Sequence, residues 1–189
     1  MELSRKFRVL GQTLSMHTSL RDRYGRRALI VDLSLLVCSV VFCASAFAGD
    51  NVLSRFGTTP ENVRYSLRAF SVLAFMLSIL SLRIDWKGKS ASHRDAATKL
   101  SSAVASFRKY QGANGTWPPQ YLEELDAAYW EAMRNSVPIP ESLFVKLKAR
   151  HLRKVELSKM LDLNPGCPVL VLRLRLLCSS LKRAIGRKQ

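Results

Sequence analysis

Two almost uninterrupted apolar blocks, separated by a short polar linker, constrain this chain more than any other feature of its sequence. The first block, residues 28–47, reads ALIVDLSLLVCSVVFCASAF and carries one charge, Asp32. The second block, residues 65–84, reads YSLRAFSVLAFMLSILSLRI and carries Arg68 and Arg83 near its ends. A helix of about 20 residues spans the roughly 30 Å of a bilayer's hydrocarbon core, and long arginines near helix ends reach the headgroups. The pattern therefore predicts two transmembrane helices.

The charges around the blocks predict how the chain is oriented in a membrane. The sequence has 30 Lys and Arg against 14 Asp and Glu, for a net charge of +16. The segments before and after the two blocks are basic, and basic flanks stay cytosolic. We therefore expect an all-α membrane protein, multi-pass in the plasma (inner) membrane, with both termini cytosolic. It divides into a basic amphipathic segment (1–27), a two-helix transmembrane hairpin (28–84, with the neutral external loop 48–64) and a basic helical tail (85–189).

This distribution already accounts for the net charge, so the lipid bilayer is the expected partner and no nucleic acid is expected. One alternative stays open at the first block. Ala46-Phe47-Ala48 followed by Gly49 resembles a signal-peptidase site. A polar region of 27 residues before the block and the charge of Asp32 within it argue against cleavage. Cleavage would leave one span with the tail on the same side.

The charged residues of the blocks predict one ion pair. A charge in a bilayer core is costly and usually faces protein or water. In an antiparallel hairpin, Asp32 lies about 8 Å to the cytosolic side of the midplane and Arg68 about 10 Å to the external side, too far apart to pair. Arg83, at the cytosolic end of the second block, is the predicted partner of Asp32. Four residues at the block ends are predicted interfacial anchors: Arg26, Arg27, Arg83 and Trp86.

Small and polar residues recur at helical spacing inside both blocks and define a predicted transmembrane seam. Small residues let helices approach closely, and hydroxyls can hydrogen-bond across the contact. The seam either holds the hairpin together or, in a homo-oligomer, lines an aqueous path, because two helices cannot enclose a pore alone. Its candidate residues are Asp32, Ser39, Cys43, Ser71, Ser78 and Ser81.

Apolar spacing predicts helices outside the blocks as well. In the first 27 residues, one side of the predicted helix carries Phe7, Leu10, Leu14 and His17, and we expect His17 to be an exposed residue and not a ligand. Residues 89–110 predict a helix that continues from the second block. Its apolar face is formed by Ala96, Leu100, Ala103, Val104 and Phe107.

Further along the tail, residues 119–135 and about 141–162 predict two more helices. The last element, VLVLRLRLLCSSLKRAI, has both a helical leucine stripe and a strand-like alternation. As a basic amphipathic helix it would lie on anionic lipid or bind a partner, and otherwise it packs against the other cytosolic helices.

Motifs for catalysis are absent from the sequence. The chain contains no Gly-rich phosphate loop, no Ser-His-Asp arrangement and no CxxC. The four cysteines, Cys38, Cys43, Cys167 and Cys178, are expected to be reduced thiols. We therefore predict neither an enzyme nor a bound cofactor or metal.

The order of these features resembles a known family. A basic amphipathic helix leads into two spans, and the following helix opens with a Trp86–Lys89–His93–Ala96–Leu100 pattern, with Phe107 and Tyr110 beyond it. Over roughly residues 10–180 the chain resembles the SLATT family, the SMODS- and SLOG-associating two-transmembrane effectors of prokaryotic conflict systems. The resemblance implies an antiviral, pore-forming or membrane-disrupting effector, triggered by a nucleotide-sensing or nucleotide-generating partner, with no catalytic residues.

Two other functions remain as alternatives. The first is a non-conducting membrane anchor or adaptor that recruits a cytosolic partner through its basic helices. The second is a holin-like lysis protein, which the long cytosolic tail disfavours.

Overall fold

The computed structural model describes residues 2–47, 60–112 and 116–186, and every regular element within those ranges is helical. The predicted all-α class is therefore confirmed, and the ambiguous last element is a helix. Of the predicted external loop, residues 48–59 lie outside the described residues, as do Ala48 and Gly49 of the signal-peptidase motif. The α-helices are α1 Glu2–Phe47, α2 Pro60–Ile84, α3 Trp86–Lys109, α4 Leu122–Arg134, α5 Glu141–Leu163 and α6 Val169–Gly186, with a 3₁₀ turn at Pro119–Tyr121.

The helices α2 and α3 are separated by Asp85, which corrects the prediction of one continuous helix. Asp85 has a φ of 45°, in the left-handed region that ends a helix and that Asp tolerates better than most residues. Its Oδ1 accepts a hydrogen bond from the backbone N–H of Gly88 at 2.9 Å, which caps the start of α3. A side chain at Gly88 would collide with the Asp85 carboxylate, so this cap requires glycine there.

The chain forms two compact units, and their boundaries cut through α1 and α3. The first unit comprises Met1–Met16, Leu100–Arg134 and Pro138–Gln189. The second comprises His17–Lys99 and Asn135–Val137. The first unit holds the apolar core, and the second holds both apolar blocks.

The core of the first unit forms around Phe107, whose side chain is fully buried. Its ring stacks on Phe7 with 5.8 Å between centroids and meets the edge of Trp117 at 5.9 Å. The Trp117 indole N–H donates to the backbone carbonyl of Phe107 at 2.8 Å, which satisfies a polar group inside an apolar cluster. The other buried members are Leu10, Leu100, Ala103, Val104, Leu125 and Ala132.

Ion pairs and a ring contact lie at the edge of this core. The Lys6 ammonium lies 2.7 Å from Asp126 and 3.0 Å from Glu2, and the hydrogen bond with Asp126 is the main cause that raises the pKa of Lys6. Tyr110 stacks on Tyr121 at 4.1 Å between centroids. The ion pair between Lys6 and Asp126 links the N-terminal turns of α1 to α4.

The helices α5 and α6 also belong to the first unit, and they bury little. Leu147 and Leu172 are buried, but many of their apolar neighbours are exposed. Leu163 is 81% exposed and Leu170 is 72% exposed. The two helices therefore present an apolar and basic surface that no other described part of the chain covers.

In the second unit, α1 and α2 each contain a stretch long and apolar enough to cross a membrane. These stretches are almost entirely unburied. Phe75 in α2 is 67% exposed and Leu29 in α1 is 65% exposed. Most of the large apolar residues around them are exposed too. Soluble monomers rarely expose a continuous apolar surface of this kind, since their exposed apolar patches are usually no larger than a few hundred Å².

Candidate functional site

Asp32, the one acidic residue of the first apolar block, forms an ion pair. Its Oδ2 lies 2.8 Å from Nζ of Lys87. The predicted partner, Arg83, is exposed and lies one helical turn earlier in the chain. The structure therefore places the ion pair of Asp32 one helical turn further along the chain than the sequence predicted. The contact joins the start of the first apolar block to the chain just beyond the second.

A double-mutant cycle measures this pair. We expect Asp32→Asn and Lys87→Gln to show a coupling free energy of up to about 1 kcal/mol, the usual range for a partly exposed ion pair. Arg83→Gln, the matched control, should show almost no coupling to Asp32→Asn. The free energies come from unfolding of the full chain in detergent micelles. Equal coupling of Asp32 to both basic residues would contradict the observed pairing.

The residues of the predicted seam differ in burial: some are half-buried and others are exposed. Ser78 and Ser81 of α2 are half-buried. Ser71 is exposed, and its hydroxyl donates to the carbonyl of Arg68 on the same helix at 2.8 Å. Ser39 and Cys43 of α1 are also exposed. The half-buried face of α1 lies beside the predicted one and includes Leu35, Cys38 and Phe42.

A buried histidine pair in the second unit was not predicted. His17 is fully buried, which corrects its expected exposure, and His93 is 5% exposed. Their Nδ1 atoms lie 3.0 Å apart, so one ring donates its Nδ1 proton to the other. Tyr24 stacks on His93 at 5.6 Å between centroids. His17 Nε2 is buried without a hydrogen-bond partner.

Burial keeps this pair neutral. Desolvation, with a smaller contribution from the charge of His93, lowers the pKa of His17 from 6.5 to about 4. Desolvation also lowers the pKa of His93. The sequence did contain a signal for both residues, because each continues an apolar helix stripe: Phe7–Leu10–Leu14–His17 and His93–Ala96–Leu100. Both histidines are buried in the structure.

The predicted anchors lie at the ends of the apolar blocks. Arg26, Arg27 and Arg83 are exposed, and Trp86 is half-buried. Next to them, α1 and α3 border a groove of about 840 Å³ in the second unit. The groove is lined by Arg21, Asp22, Gly25, Arg26, Leu29, Ser90 and Arg94.

Comparisons with known proteins do not place the chain in a family. No protein-family model, no curated protein and no solved structure matches it. The resemblance to the SLATT family therefore stays a prediction. The function has to be argued from the surfaces and contacts described above.

Proposed function

We propose that the chain is a two-span plasma-membrane hairpin protein that oligomerises to permeabilise the membrane when its cytosolic helices receive a signal. The observation that carries the proposal is the unburied apolar surface of α1 and α2. Leu33 and Val37 of α1 are 56% and 54% exposed, and Leu82 of α2 is 80% exposed. At about 25 cal/mol per Å² of exposed apolar area, such a surface is costly in water, and burial in lipid would remove that cost.

The ion pair between Asp32 and Lys87 supports the hairpin. It brings the start of the first apolar block to the chain just beyond the end of the second. Both blocks then cross the bilayer from the same side, with the basic segments before and after them in the cytosol. The buried Leu10 and Leu20 in the N-terminal part of α1 argue further against signal-peptide cleavage, which would remove these side chains from their cores.

Assembly is supported by the uncovered face of α1. Ser39 and Cys43, one helical turn apart, are exposed within residues 28–44 of α1, where the other exposed residues are apolar. In lipid, small polar residues stabilise contacts between helices, so a second copy is the natural partner for this face. Several hairpins are needed to surround an aqueous path. The SLATT resemblance adds a nucleotide-sensing or nucleotide-generating protein as the proposed source of the signal.

Inducible expression with a potential-sensitive dye tests the proposal. We expect wild-type protein to depolarise cells, and Ser39→Leu to reduce the depolarisation severalfold by removing the polar contact face. Asp32→Leu and Ser78→Leu should also weaken it. Val40→Leu, at a neighbouring residue that is 59% exposed, is the matched control and should behave as wild type. An intact membrane potential at high expression, with or without a triggering partner, would exclude permeabilisation.

A non-conducting anchor or adaptor is the second candidate function. The exposed apolar and basic surface of α5 and α6 favours it, because such a surface suits a protein partner. An adaptor would leave the membrane potential unchanged at any expression level. Its function would depend on Leu170 and Leu174, which are 72% and 63% exposed, and Ser39→Leu would leave that function intact.

A further inference from the structure

The groove between α1 and α3 in the second unit lies beside a close contact between the two helices. The Ser90 hydroxyl donates to the backbone carbonyl of Arg21 at 3.0 Å. A Cβ at Gly25 would lie 3.3 Å from that same hydroxyl, so glycine allows α3 to approach α1 here. Around the contact, arginines extend from both helices: Arg21 and Arg26 from α1, and Arg94 from α3.

The charges of the groove are only partly balanced. Three guanidinium groups face a single carboxylate, that of Asp22. Arg21 uses that carboxylate, with Nε and Nη2 at 2.9 and 2.8 Å from Oδ1. Arg26 donates only its Nε, to the Asp22 carbonyl at 3.3 Å. Within the described residues, no acidic group engages the end of Arg26 or the guanidinium of Arg94.

The position of the groove along α1 matches the lipid headgroups. Gly25 and Arg21 precede the first apolar block by three and seven residues, or about 5 and 10 Å along the helix. The headgroup layer is roughly 5–7 Å thick on each side of the hydrocarbon core, and arginine side chains extend several Å further. Leu29, which belongs to the first apolar block, also lines the groove and offers an apolar contact, since it is 65% exposed.

We infer that this groove binds the phosphate of an anionic phospholipid of the cytosolic leaflet, with Arg26 and Arg94 as its ligands and an acyl chain along Leu29. The inference rests on the proposed membrane placement. Guanidinium groups bind phosphate oxygens through charge-assisted, often bidentate, hydrogen bonds. A basic pocket between helices at the cytosolic membrane surface suits an anionic headgroup. The apolar contact at Leu29 favours a lipid over a soluble phosphate.

Native mass spectrometry of the full chain in detergent micelles tests this site. Phosphatidylglycerol and phosphatidylcholine are titrated separately, and the affinity for the first bound lipid is compared. Two arginines near the anionic surface predict that phosphatidylglycerol binds roughly thirtyfold more tightly than phosphatidylcholine. Arg26→Gln with Arg94→Gln should remove that preference. Arg26→Lys with Arg94→Lys should keep most of it.

The matched control is Arg150→Gln with Arg153→Gln, which removes the same charge from exposed positions of α5 and should keep the preference. Equal affinity of the wild type for both lipids would overturn the site. So would a loss of the phosphatidylglycerol preference in the control as large as that in Arg26→Gln with Arg94→Gln. Competition by inorganic phosphate as effective as that by phosphatidylglycerol would overturn the lipid as its source. Carbonate extraction of wild-type membranes separates the two proposals. Extracted protein refutes the membrane placement, whereas retained protein without lipid preference refutes only the groove site.

Discussion

Phe107→Ala should lower the free energy of unfolding of the first unit by about 3–5 kcal/mol, the usual cost of truncating a buried phenylalanine. The side chain is 0% exposed and contacts the rings of both Phe7 and Trp117. Its loss leaves a cavity among residues from three segments of the chain that cannot easily close. Most domains are stable by only 5–15 kcal/mol, so the variant should be close to unfolding at 37 °C.

Denaturant unfolding of the full chain in mild detergent measures this effect, followed by tryptophan fluorescence. Trp117 reports on the core directly, since its indole donates to the Phe107 carbonyl at 2.8 Å. Phe144→Ala is the matched control. That ring, on α5, is 42% exposed, and its truncation should cost well under half as much. Equal losses from the two variants would show that Phe107 does not anchor the core.

The sequence predicted those parts of the fold that depend on local periodicity. The stripe Ala96, Leu100, Ala103, Val104 and Phe107 was predicted as one apolar face, and the structure buries all five side chains. The spacing of apolar residues along a helix is sufficient to identify the face that turns inward. The length and composition of the two apolar blocks likewise identified the stretches that could cross a membrane.

Long-range pairings could not be predicted in the same way. His17 and His93 are 76 residues apart in the chain, and only the packing of α1 on α3 brings their rings together. The partner of Asp32, Lys87, is 55 residues away in the chain, and sequence spacing does not distinguish it from Arg83 one helical turn earlier. The arginine groove depended on Gly25, whose missing side chain allows the close approach of Ser90. Periodicity does not encode these contacts.

Acidification from pH 7 to about pH 4 should destabilise the second unit, because its buried histidine pair resists protonation. In the folded chain, burial lowers the pKa of His17 from 6.5 to about 4. In the unfolded chain, His17 takes up a proton near pH 6.5. Between these values the unfolded state binds more protons, so the free energy of unfolding falls as the pH falls. At about 1.36 kcal/mol per pKa unit, His17 accounts for roughly 3 kcal/mol, and His93 acts in the same direction.

Protonation also removes the contact itself. The 3.0 Å hydrogen bond between the two Nδ1 atoms needs one ring to accept, and a doubly protonated pair has two donors facing each other. The ring stacked on His93 is that of Tyr24, not a carboxylate that could pair with the two donors. The free energy of unfolding of the full chain in detergent, measured between pH 7.5 and 4, should therefore fall for wild type. The fall should be much smaller for His17→Gln.

His151→Gln is the control for that experiment. Burial and the nearby Lys154 lower the pKa of His151 as well, but this side chain lies on α5 in the first unit and is half-buried. Its replacement should leave most of the pH dependence in place. If His17→Gln and wild type lost stability equally on acidification, the pair would not be the acid-sensitive element. Because the pair joins α1 to α3 within the second unit, acid should destabilise that unit and leave the core around Phe107, in the first unit, largely unaffected.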